Sequence, residues 1–313
     1  MPTNKLTSRI AIVGVGDVGA AAVFALILSS VCGQILLVDT KEAFRDGQVL
    51  DLSDATHRGN SSTHVRAGTY QEAGQCDIVV ITAGAKQKPG ESRLQLIGRN
   101  IGILGSVISG MKPFKQDTIL LLVANPVDVL TTFAQEISGL PKAQVIGSGT
   151  FLDSIRLRGH LAEKAEVAAS SIDAYVLGEH GDSQFVAWSI ATIGGVPIDK
   201  ALPAGTFDRR ELAESVKSTA QKIIEAKGAT SYGIGSVVAS ICSSILFDKH
   251  NVRPISHWQQ DHDCCLSLPV VLGRKGVVRN LPLPLDDEET KLLHESAKDL
   301  REVIDGARKN SEY

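Results

Sequence analysis

At 313 residues the chain exceeds what a single hydrophobic core usually supports, so two domains sharing a large buried surface are expected. Its composition, 43% hydrophobic and 21% charged, is that of a soluble globular protein, and no stretch approaches the ~20 consecutive apolar residues of a bilayer span, which argues against a membrane role. A net charge of −3 with mixed signs lacks the clustered Lys and Arg of a nucleic-acid binder, leaving a small molecule as the expected partner.

Residues 1–9 are short and polar and lead straight into an apolar run, with no room for the parts of a secretory signal, so the expected location is the cytoplasm. The runs 10–13, 35–38, 78–81, 119–123 and 145–147 are β-branched or aliphatic, alternate with helical patterns, and read as buried parallel strands. That alternation predicts an α/β fold, a doubly wound parallel sheet of the Rossmann kind with helices on both faces.

Gly14-Val15-Gly16-Asp17-Val18-Gly19 follows the first strand directly and opens an apolar helix over 20–28. Each glycine has a mechanical reason there. Gly14 permits a tight turn, Gly16 lets backbone approach a pyrophosphate, and Gly19 lets helix pack on strand, while the helix amino terminus offers free N–H groups to phosphate. Asp39 ends the second strand 20 residues after Gly19, the separation at which a carboxylate accepts from ribose hydroxyls and repels a 2′-phosphate. NAD is therefore favoured over NADP, with Lys41 the one neighbouring feature against it. A chance glycine pattern and a strand-end turn former are the bland alternatives for the loop and for Asp39.

After the Pro89-Gly90 turn, Leu94, Ile97, Ile101, Leu104 and Ile108 recur at steps of three and four and place one apolar face on a helix. The boundary is expected near Gly149, giving a cofactor domain over 1–149 and an α+β substrate-binding domain over 150–313. The latter mixes helices with strands, among them 174–177 and 267–272, and closes on an amphipathic helix over 286–306. No internal repeat or flexible linker separates the halves, so they are expected to pack rigidly around one cleft. The cysteines Cys32, Cys76, Cys242, Cys264 and Cys265 are odd in number and fit no disulfide framework, so reduced thiols are expected.

Four separated segments carry the chemistry: 84–93 (GAKQKPGESR), 124–128 (ANPVD), 149–156 (GTFLDSIR) and 178–183 (GEHGDS). With the glycine loop and Lys227-Gly228-Ala229-Thr230-Ser231, their order and spacing resemble the L-lactate and malate dehydrogenase family over nearly the whole chain. The resemblance implies an NAD-dependent oxidoreductase that reduces a 2-oxo acid, in glycolysis or fermentation. It makes His180 the proton donor, a role suited to an imidazole whose unperturbed pKa lies near neutrality. The glycines flanking Glu179-His180 suggest an exposed loop. Asp153 is implied as the carboxylate that orients His180, and Arg156, one helical turn on, as the fork for the substrate carboxylate. Arg93 is implied to polarise the carbonyl after a lid closes, and Asn125, before a candidate cis Pro126, to bond the substrate oxygen. Ser148 and Val123 match positions beside the nicotinamide carboxamide, and the cofactor set further includes Asp17, Val18, Thr82, Ala83 and Gly84.

Substrate choice falls to Gln87, a neutral amide where the family's malate enzymes carry arginine, with Thr230 lining the same pocket. A dicarboxylate would bury an uncompensated charge there, so pyruvate is favoured over oxaloacetate. The alternatives are malate as substrate, a bulkier 2-hydroxy monocarboxylic acid, or a binding protein that kept the fold and lost catalysis. A zinc site is a further rival, because His257, Asp261, His262, Asp263, Cys264 and Cys265 crowd into nine residues; no metal is expected, since the segment resembles a family loop entering a strand. The resemblance also implies a homo-oligomer, a tetramer ahead of a dimer. Many bacterial members bind fructose 1,6-bisphosphate through an arginine, matched here by Arg158, and a histidine, whose place Asp173 takes. Pairing of those two, within a subunit or across an interface, would leave the enzyme without this activation.

Overall fold

The computed structural model describes residues 8–57, 62–86 and 90–310. Gln87 and Pro89 lie outside the described residues. The first half alternates β1 (Arg9–Val13), α1 (Asp17–Leu28), β2 (Gln34–Val38), α2 (Glu42–His57), β3 (His64–Ala67), α3 (Tyr70–Ala73), β4 (Ile78–Ile81), α4 (Arg93–Met111), β5 (Ile119–Leu122), α5 (Val127–Ser138) and β6 (Val145–Gly147). The second half carries α6 (Phe151–Ala165), the short strands β7 (Ile172–Asp173), β8 (Val176–Leu177), β9 (Phe185–Val186), β10 (Thr192–Ile193) and β11 (Val196–Pro197), then α7 (Ile198–Ala201), α8 (Arg209–Lys227) and α9 (Tyr232–Leu246). It ends in β12 (Asn251–Gln259), β13 (Cys264–Gly273), β14 (Gly276–Asn280) and α10 (Asp287–Asn310).

Strands β3-β2-β1-β4-β5-β6 lie side by side and all parallel. The chain winds outward from β1 in one direction and then, through β4, in the other, which is the doubly wound arrangement and puts a crevice at the carboxyl ends of β1 and β4. β4, β5 and β6 are buried along their whole length because helices cover both faces, and this is why they read as unbroken aliphatic runs. One face packs under α1 and α9, the other under α4, α5 and α10. A third cluster, built on Leu157, Leu161, Ile172 and Val216, belongs to the second half.

The sheet does not stop at β6. β12 joins it antiparallel at Ser256↔Gly147, and β13 and β14 extend it to nine strands. The second half therefore supplies backbone partners to an edge that would otherwise stand open.

The elements depart from expectation in several places. The helix foreseen from residue 20 starts at Asp17, because the last part of the glycine loop is already its first turn. β3 was not foreseen: Val65 is its one buried residue, so no apolar run marks it. The strand expected at 174–177 shrinks to Val176–Leu177, and the run 267–272 is the centre of a longer strand paired on both sides. Leu94, counted with the buried stripe of α4, is 49% exposed, since the first turn projects past the core that covers Ile97 and Ile101.

Candidate active site

The crevice at the carboxyl ends of β1 and β4 has a volume of about 530 Å³, and Gly14, Gly16, Asp17, Val18, Gly19, Asp39, Thr82, Ala83 and Gly84 all line it. Gly14 takes φ +91 and donates its N–H to Val38 O at 2.8 Å. A Cβ there would meet Ala83 N at 2.7 Å, and a Cβ on Gly19 would lie 2.1 Å from Gly14 O, so packing alone excludes a side chain at both. Gly16 differs: an added Cβ meets nothing within 4 Å. Its bareness serves no contact within the chain and leaves room for a ligand group. Asp39 braces the loop, accepting Val15 N–H on Oδ2 and Lys41 N–H on Oδ1, each at 2.9 Å. These features fit a dinucleotide, with the pyrophosphate over Gly16 at the start of α1 and a ribose at Asp39.

A smaller cavity of about 110 Å³ adjoins it, and Val18 lines both. Val123, Asn125, Ser148, Arg156, His180 and Thr230 line this cavity, against an apolar wall of Leu152, Ala220, Ile224 and Ile234. Asn125–Pro126 is cis. Asp153, in the first turn of α6, is 2% exposed; its Oδ2 lies 2.8 Å from His180 Nδ1 and its Oδ1 accepts from Arg156 Nη1 at 3.1 Å. One carboxylate thus joins imidazole to guanidinium. Desolvation acts most strongly on His180 and pushes its pKa down, but the hydrogen bond and charge of Asp153 together with the charge of Asp128 outweigh it, and the imidazole ends above its ordinary value.

The loop holding His180 is exposed at Asp182, as the flanking glycines suggested, but not along its first part. Gly178 and Glu179 are buried, because Gly178 (φ +88) brings the chain against α10, where a Cβ would meet Ser296 Oγ at 2.7 Å and where that hydroxyl accepts Glu179 N–H at 2.9 Å. His180 alone of the pair reaches the cavity, with a quarter of its side chain accessible (25%).

Arg93 is not brought to this cavity. It stands 58% exposed at the first position of α4, 3.4 Å from Glu179 Oε1 and 3.6 Å from Asp182 Oδ2. The segment leading to it is held from behind: Arg99 donates to Lys86 O and grips both carboxylate oxygens of Glu91, so one guanidinium anchors residues 86 and 91. Arg158 donates Nε–H to Ala174 O at 3.0 Å and lies over the Tyr175 ring; Asp173 is not its ion-pair partner within the chain.

Sequence comparison bears on this geometry. The lactate/malate dehydrogenase NAD-binding domain matches residues 8–147 and the lactate/malate dehydrogenase alpha/beta C-terminal domain matches residues 150–310. The chain belongs to the lactate/malate dehydrogenase family. It is 46% identical to L-lactate dehydrogenase A of Rhizopus oryzae over 95% of this chain and 92% of that protein. With an L-lactate dehydrogenase of Streptococcus gordonii the identity is 41%, over 100% of this chain and 98% of the relative. Among solved structures, a lactate dehydrogenase from a Medee basin deep-sea metagenome library superposes with a TM-score of 0.93 at 34% identity, covering 96% of this chain and 99% of that one. The minor L-lactate dehydrogenase of Enterococcus mundtii superposes with a TM-score of 0.92 at 35% identity, over 96% and 98% of the two chains.

As a family member the chain carries an NAD-binding domain, which accords with the room at Gly16 and the carboxylate at Asp39. Sequence reasoning missed two polar residues that support the site. Asn100 accepts Ala85 N–H at 2.8 Å and donates to Asn125 O at 3.0 Å, tying the strand end of the cofactor crevice to the cis turn. Its signal was a polar side chain set against the apolar stripe of α4. Asp128 is buried and accepts His180 N–H at 2.7 Å; in the sequence it looks like an ordinary acid in a first helical turn. The rival metal cluster dissolves on folding: His257 is held by Ile255 O and Asn280 Oδ1, the Cys264 thiol is pushed up to about 12 by burial, and among the described residues no three potential ligands converge.

Proposed function

We propose that the chain catalyses the reversible, NADH-dependent reduction of pyruvate to L-lactate. The observation that carries the reading is the linked trio of His180, Asp153 and Arg156, opening onto a small cavity that shares Val18 with the glycine-loop crevice. NADH, when bound, supplies the hydride that reduces C2. Arg156 takes the substrate carboxylate in its planar fork. His180 gives a proton from Nε2, the ring nitrogen left free by Asp153, to the C2 oxygen, and Asp153 stabilises the protonated ring beforehand. Asn125 bonds the same oxygen, and Arg93, released from Glu179 and Asp182 on closure, adds positive charge where the oxygen gains electron density.

Pyruvate is favoured over oxaloacetate because Arg156 is the one arginine or lysine lining the small cavity among the described residues, its far wall being apolar apart from Thr230. By the family resemblance, position 87 is where malate enzymes carry arginine for a second carboxylate, and the sequence has a neutral glutamine there. In this reading residues 1–149 hold the cofactor and lend Arg93 and Asn125 to the substrate oxygen, 150–313 supply the proton donor and the carboxylate-binding arginine, and the protein works as a cytoplasmic homotetramer. Loss of NADH absorbance on adding pyruvate tests it: kcat/KM for pyruvate should exceed that for oxaloacetate, and the reverse order would assign malate instead.

A further inference from the structure

Asp128 is a buried titratable group to which the steps above give no part. It sits in the first turn of α5, three residues past Asn125, and is 2% exposed. Its Oδ2 accepts the backbone N–H of His180 at 2.7 Å, and the hydroxyl of Ser256 faces the carboxylate from β12. The titratable groups around it are His180 and Glu179 from the loop after β8, and Cys264 and Cys265 from β13. Beyond His180 stand Asp153 and Arg156 of α6. Both thiols are driven upward by burial and stay neutral; Arg301 and Lys142 act on them, and the cation that acts on Asp128 itself is the His180 imidazolium.

Burying a carboxylate costs stability, and an amide could accept the same N–H without the charge. The charge therefore calls for a purpose of its own. We propose that Asp128 is a second positioning carboxylate for His180: Asp153 orients the ring through Nδ1, while Asp128 fixes the main chain that carries the ring and lends its negative charge to hold the proton destined for the substrate oxygen. The inference rests on the reading of His180 as proton donor. Burial raises Asp128 to about 6, against the lowering effect of the Ser256 hydroxyl, the His180 N–H and the His180 charge, so it is ionised at neutral pH and its charge is felt there. Each group acts on the other's proton, and the two titrate as a coupled pair.

The test combines the pH profile of pyruvate reduction with histidine 15N NMR on the same protein. Pyruvate reduction needs the imidazolium, so kcat/KM falls as pH rises through the His180 pKa. In Asp128→Asn, which keeps an acceptor for His180 N–H, that fall should move downward by about half a unit or more, leaving rates near pH 6 similar and lowering them about threefold or more at pH 8. A uniform loss of kcat at every pH with the midpoint unmoved would mean that Asp128 is only structural, and would overturn the proposal. Should the variant not fold, the wild-type protein decides: the His180 ring nitrogens should report a second inflection near pH 6, and a single-site titration refutes the coupling. A wild-type protein with no pyruvate reduction at any pH would instead sink the reading of the site, while the NMR titration would still test the link between Asp128 and His180.

Discussion

At the scale of single residues, His180 and Asp128 show burial and partnership pulling in opposite directions. For His180 the partners win and the pKa rises, so the protonated donor persists to higher pH than a free imidazole would allow. Pyruvate reduction should therefore fall at a higher pH than the ordinary imidazole value would set, with lactate oxidation as the mirror image; pH–rate profiles in both directions check this. His180→Asn should lower kcat by about 10²–10⁴-fold while NADH still binds, as read by quenching of nucleotide fluorescence. For Asp128 burial wins. Its folded pKa, about 6, lies above the ordinary carboxylate value of 3.8, so the native state holds the proton more tightly than the unfolded chain does. Stability on this account is greatest below pH 4 and declines as pH rises from there to about 6. Asp128→Asn should consequently raise Tm at pH 8 more than at pH 4, which calorimetry at the two pH values would show. Gln87→Arg belongs to the same scale: it should move the kcat/KM ratio toward oxaloacetate, and an unchanged ratio would remove Gln87 as the determinant.

At the scale of elements, the glycine loop separates two needs that one sequence pattern conceals. Gly19 is required by the packing of α1 on the turn before it, because a Cβ would overlap Gly14 O at 2.1 Å. Gly16 faces open space with an ordinary φ of −67. Gly19→Ala should thus cost stability by ~2 kcal/mol or more, visible as a lower Tm even without nucleotide. Gly16→Ala should keep its Tm within a degree or two and weaken NADH binding instead. A Gly16→Ala protein that bound NADH normally would show that the pyrophosphate does not lie there. The fold behaves similarly at the start of α5, where one turn presents Asn125 to the cavity and Asp128 to the backbone of His180.

At the scale of the whole molecule, the groove between α1, α2 and the start of α9 exposes Phe24 and Tyr232, with Leu50 exposed on α2 nearby in sequence to its other wall. A groove of about 460 Å³ that sets these aromatic rings beside Asp51 and Lys227 suits a subunit contact on a family member. Light scattering should report a tetramer, or failing that a dimer, and Phe24→Glu with Tyr232→Glu should dissociate it; a wild-type monomer at micromolar concentration contradicts the assembly. Arg158 is already engaged by Ala174 O and the Tyr175 ring, and Asp173 adds negative charge nearby. Initial rates at low pyruvate should accordingly not respond to millimolar fructose 1,6-bisphosphate, and a several-fold fall in apparent KM would overturn that expectation.

The sequence by itself determined the doubly wound sheet, because strands covered on both faces must be apolar throughout and their helices must carry 3.6-residue stripes. It also located the glycine loop and Asp39 by their spacing, while the trio of Asp153, Arg156 and His180 came from the resemblance of its short motifs to a known family, whose order survives without coordinates. Tertiary structure decided the rest. β3 has too little buried surface to announce itself, and β12 is recruited by the open edge of β6, a hydrogen-bonding need that no local pattern records. Gly178, which looked like loop exposure, proved to admit Ser296 of α10, 113 residues beyond Ser183, which the same hydroxyl also meets. Whether the Asp128 carboxylate faces water or a histidine amide depends on which distant segment lands on α5, and charge in a buried place takes its meaning from those neighbours alone.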